Sequence, residues 1–131
     1  FRRVLFRSRI RMKVMQRDGT SVVDAKGIHI LDPRHDPSDC VPAEHCHEAL
    51  VSRADVRQRT DEDRQKIFVE ENMVMLSAEQ NLNLPRRVKY AARNYLVALY
   101  GEERIKAFLA SIEWDEPLER MLYEPGTQDA E

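Results

Sequence analysis

Four apolar residues in succession, Met73-Val74-Met75-Leu76, constrain this chain more than any other stretch, because they must be enclosed on all sides wherever they lie. Upstream, Thr60-Asp61-Glu62-Asp63 resembles a capping box, and its carboxylates suit the positive end of a helix. Together these features predict a helix from Asp61 that carries Ile67, Phe68, Val69, Met73, Val74, Met75 and Leu76 as the centre of the core. A chain of 131 residues has difficulty covering such a helix completely. Either the rest of the domain buries it, or a second copy or partner chain covers the surplus. Methionine, unbranched and adaptable, suits such a surface.

The flanking sequence divides into a strand-like beginning and a helical remainder. Ile10, Met12 and Val14 alternate with Arg11, Lys13 and Met15, a period of two that predicts a half-buried strand. Asp18-Gly19 supplies a hairpin turn, and Val22-Val23 and Ile28–Leu31 make two further strands around a turn at Lys26-Gly27. Pro33, Pro37 and Pro42 mark a connector, with a helix beginning near Pro42 that sets Cys46, Leu50 and Ala54 on one side. Asn83-Leu84-Pro85 opens another helix, ended by Gly101, with Val88, Ala92, Tyr95, Leu96 and Leu99 as its buried stripe. Ile105, Phe108, Leu109 and Ile112 form the cleanest amphipathic pattern, and Pro117 opens a last turn with Leu118, Met121 and Leu122. The fold class is α+β: a small N-terminal antiparallel β-meander packed on four to five mainly amphipathic helices. A single domain is expected over 9–125, with 126–131 a frayed acidic tail.

The first eight residues, Phe1–Ser8 (FRRVLFRS), resemble the in-frame translation of a sequencing adaptor and are expected to lie outside the native fold. Arg2, Arg3 and Arg7 leave with them, which takes 21 basic residues to 18 against 23 acidic ones and the charge from -2 to -5. An acidic chain has no long-range attraction to nucleic acid or anionic lipid, so a polyanion partner needs a locally basic face. No apolar run approaches the roughly 20 residues of a membrane span. The two cysteines do not form a CxxC pair. No membrane partner and a cytoplasmic location are expected.

All four histidines and both cysteines fall between His29 and His47, and zinc favours imidazole and thiolate ligands. His35, Cys40, Cys46 and His47 are the candidate ligands, although their spacing matches no standard finger. The Glu44-x-x-His47 pair has no second copy to complete a di-iron site. Cys46 with a neighbouring histidine lacks a nameable third member for nucleophilic catalysis. The helix after Pro85 carries Arg86, Arg87, Lys89 and Arg93 with Tyr90 among them and no acidic residue, as a nucleic-acid-reading helix does.

These features point to a non-enzymatic protein-interaction or assembly module that uses Met73, Val74, Met75 and Leu76 for a protein partner or self-association. The alternative is nucleic-acid binding through the basic helix at 85–94, and the third is a zinc-stabilised small domain. No other cofactor is expected.

Overall fold

The computed structural model describes residues 2–123, with side chains from Arg7 onward; the acidic end expected to fray lies outside the described residues. The described residues form helices α1 (Arg2–Asp18), α2 (Asp61–Lys66), α3 (Ala78–Asn83), α4 (Arg86–Tyr100), α5 (Glu102–Ser111) and α6 (Leu118–Leu122) and an antiparallel pair of strands, β1 (His45–Glu48) and β2 (Met73–Leu76). The architecture is mixed helix and strand, as the α+β expectation has it.

The N-terminal strand expected from alternation is a helix. Ile10 and Val14, four apart, share a face under either period, so the two readings differ at Met12, which is 62% exposed while Ile10 and Val14 are buried. Arg, Met, Lys and Gln are also good helix formers. Gly19, at φ +70°, ends this helix by donating its N–H to Met15, where a hairpin turn was expected. The helix includes Arg2–Ser8 of the octet, and the Arg7 guanidinium lies 4.4 Å from the Phe68 ring centre. Of the expected meander, an antiparallel bridge between Val23 and His29 remains, across the turn at Lys26-Gly27.

The segment after Pro42 is β1 rather than a helix. It pairs His45 with Leu76, Cys46 with Met75, His47 with Val74 and Glu48 with Met73. The side chains of 45–48 have little intrinsic preference for a strand, and the pairing with β2 decides their conformation. Residues Leu50 and Cys46 therefore share no helix face, and Ala54 is exposed.

The capping expectation at Thr60 holds: its hydroxyl accepts from the Asp63 N–H, and α2 follows. That helix ends at Lys66, however, and the run Met73–Leu76 is a strand buried along its whole length. A short apolar run fits a fully buried strand as well as a buried helix, and periodicity does not separate them. Asn72, fully buried, redirects the chain between the two. Its side-chain oxygen accepts from the N–H groups of Leu50 and Val51, and its amide donates to the carbonyls of Val51 and Ile67, all at 2.8–2.9 Å. Helix α1 packs on β2, and α4 packs on α5 and α6. The stripe Val88, Ala92, Tyr95 and Leu96 is buried as expected, as are Ile105, Phe108, Leu109, Ile112, Leu118 and Met121, while Leu99 lies at the rim.

Candidate functional site

Of the residues singled out from sequence, Met73, Val74, Met75 and Leu76 are each 3% exposed or less. They form the core of one chain, so the interface expected on them is not at the surface. The basic helix is divided in two. Arg93 is buried, donating to the carbonyls of Ala49 at 2.9 Å and Met121 at 3.0 Å, with its guanidinium 5.5 Å from the half-buried Tyr90 ring. It ties α4 to the end of β1 and to α6, which removes it and Tyr90 from a groove-reading face. Arg86 and Arg87 are exposed and Lys89 is half-buried.

The four proposed zinc ligands do not converge. Cys46 and His47 are neighbours on a strand and point to opposite faces. Burial pushes the Cys46 thiol up to about 11, which disfavours the thiolate that zinc needs. Among the described residues no three His, Cys, Asp or Glu side chains are grouped to hold a metal ion.

His35 and Cys40 do meet, with a third residue not singled out from sequence. Asp36 caps a 3-10 turn over Pro37–Asp39 by accepting from the Ser38 N–H, and this turn carries the chain back so that Cys40 Sγ lies 3.6 Å from His35 Nε2. The other ring nitrogen of His35 lies 2.7 Å from Asp24 Oδ2. Asp24 is buried, and its second oxygen accepts from the N–H groups of Lys26 and Ile28. Burial alone raises a carboxyl, but these hydrogen bonds and His35 together hold Asp24 below its usual range. The two loops are stitched by the Ala25 N–H, which donates to the Asp39 carbonyl at 2.9 Å.

A second concentration of chemistry lies along a groove between α1 and the segment that joins β1 to α2. One end, about 450 Å³, is lined by Arg11, Met15, Glu44, His45, Cys46, Met75, Arg53 and Asn81. The other, about 230 Å³, is lined by Arg7, Arg53, Arg57, Arg64, Asp61 and Phe68 with Val56. A small hollow lined by Arg7, Arg11, Arg53 and Glu48 shares residues with both. Arg53 contributes to all three parts. Glu48 pairs with Arg53 at 3.0 Å and Asp61 pairs with Arg64, whereas Arg11 and Arg57 have no acidic partner within 4 Å among the described residues. Arg9 and Lys13 are exposed on the same helix as Arg11. Phe68 forms an apolar wall beneath Arg7 and Arg53.

Sequence reasoning missed this groove because its arginines come from three separate segments. The one local signal was the absence of any acidic residue in α1 before Asp18.

Comparison of the chain with protein-family models, with curated proteins and with solved structures finds no match.

Proposed function

We propose that this chain binds nucleic acid through the phosphate backbone, seated in the arginine groove between α1 and residues 52–64. The carrying observation is that Arg11 on one side and Arg57 and Arg64 on the other line adjoining pockets that share Arg53, with Arg11 and Arg57 not paired to a carboxylate among the described residues, in a chain whose overall charge is -2. Guanidinium groups suit phosphates because their planar donors bind two oxygens at once. Clustering them on one face creates the local field that the whole-chain charge lacks. The proposal stands on residues outside the octet Phe1–Ser8; Arg7 adds to the groove without being required by it. It replaces the basic helix as the contact surface, since two of that helix's five candidate residues are engaged in packing.

Fluorescence anisotropy of a labelled duplex, measured at several salt concentrations, tests the reading. Phosphate contacts give binding that weakens steeply with salt, and each lost arginine contact lowers the slope of log K against log salt by about one. Replacing Arg53 and Arg57 by alanine is expected to lower it by about two. The triple replacement of Arg86, Arg87 and Lys89 is expected to leave it unchanged. Salt-independent binding, or loss confined to the triple variant, overturns the proposal.

A further inference from the structure

The hydrogen-bonded row Asp24, His35, Cys40 needs none of the groove arginines and has a chemistry of its own. The geometry points to a thiol nucleophile that accepts acyl groups: Cys40 attacks, His35 is the general base, and Asp24 is the positioning residue that orients the imidazole. With Asp24 Oδ2 accepting a hydrogen bond from Nδ1–H, Nε2 is left as an acceptor facing the sulfur. Cys40 is exposed and reachable, in contrast to Cys46, which is part-buried against β2.

Next to Asp24 and Val41, the residue after Cys40, lies a cleft of about 440 Å³ that is also lined by Lys26, Gly27 and Arg87 and, from α3, by Glu79, Gln80 and Asn83. Lys26 pairs with Asp39 at 3.2 Å, while Arg87 has no ion pair among the described residues and leans on the backbone at Gly27. The cationic Arg87 selects an ester or thioester that itself carries an anionic group.

In the first step Sγ bonds to the acyl carbon as its proton passes to His35 Nε2. The bond to the alcohol or thiol then breaks, and that group leaves with the proton. Water, deprotonated by the same nitrogen, next attacks the thioester and returns the free thiol and a carboxylic acid.

The test uses the full chain with p-nitrophenyl benzoate and with mono-p-nitrophenyl terephthalate, whose para carboxylate cannot reach its own ester, followed by nitrophenolate release and by mass spectrometry of the acylated peptide. The expected result is acylation at Cys40 alone, abolished by Cys40→Ala. His35→Gln, which retains the thiol and a donor for Asp24, is expected to slow it about a hundredfold, and Asp24→Asn to change the pH–rate profile. The terephthalate is expected to react about fivefold faster than the benzoate and to lose that advantage in Arg87→Ala. Equal acylation of Cys40 in the parent and in folded His35→Gln overturns the nucleophile assignment. Equal rates for the two esters overturn the anionic substrate class.

Discussion

The Tyr95 hydroxyl donates to the Asp18 carboxylate at 2.6 Å, joining residues 77 positions apart at the centre of the molecule. The same carboxylate accepts from the Arg17 guanidinium at 2.7 Å and from the Met75 N–H at 2.9 Å, so the end of α1, strand β2 and helix α4 meet on one side chain. Arg17 extends the connection to the Met73 carbonyl and the Tyr100 hydroxyl. Burial raises the Tyr95 hydroxyl, and its bond to Asp18 raises it further, which keeps it a donor. Asp18→Ala strands a part-buried arginine and frees the Met75 N–H. It is expected to destabilise the chain by about 3 kcal/mol, and Tyr95→Phe by about 1.5 kcal/mol, in urea unfolding. Equal, small losses contradict this central role.

Asn72 fills every hydrogen-bonding position of its side chain, two as acceptor and two as donor, without reaching solvent. Asn72→Ala leaves the buried N–H groups of Leu50 and Val51 unpaired, so a loss of about 3 kcal/mol is expected in the same measurement. Asn72→Asp keeps the acceptors but brings in a charge and removes the donors. It is expected to be no better tolerated.

At Gly27 an added side-chain carbon would stand 2.6 Å from Arg87, at a backbone φ of +78°. Gly27→Ala is expected to cost about 1 kcal/mol through the backbone alone. Arg87→Ala/Gly27→Ala should recover the steric part and leave the backbone part, which a double-mutant cycle on thermal unfolding separates.

Burial lowers the imidazoles of His29 and His47 from the usual 6.5, with Arg34 adding to the effect at His29 and Arg93 and Lys89 at His47, and with Asp32 opposing it at the first and Glu48 and Asn81 at the second. A base whose folded value is depressed takes up protons more readily when unfolded. Stability is therefore fully present above about pH 6.5 and falls as the pH drops toward the folded values. The slope attributable to each imidazole cannot exceed about 1.4 kcal/mol per pH unit. Urea midpoints between pH 7.5 and 5 are expected to decline, and less so in His47→Gln. A midpoint that rises on acidification contradicts the assignment.

The C-terminal half was legible in the sequence because α4, α5 and α6 each bury one clean stripe, and Val88, Ala92, Tyr95 and Leu96 repeat at helical spacing with no competing reading. The first half was not. Ile10 and Val14 fit both periods, and the strands β1 and β2 exist through their pairing rather than through the preferences of His45-Cys46-His47-Glu48. The site divides in the same way. His35 and Cys40 stood out by residue type, but only the fold brings Asp24 against them, through a turn 11 residues upstream. Arg11, Arg53 and Arg57 are unremarkable in their own segments and become a groove only when α1 packs on β2.

Chemical-shift mapping by NMR during titration with a short DNA duplex tests the groove most directly. The amides of residues 9–13 and 52–64 are expected to shift together and to return as salt is added. Shifts confined to residues 86–89, or none at all, would contradict nucleic-acid binding in the arginine groove.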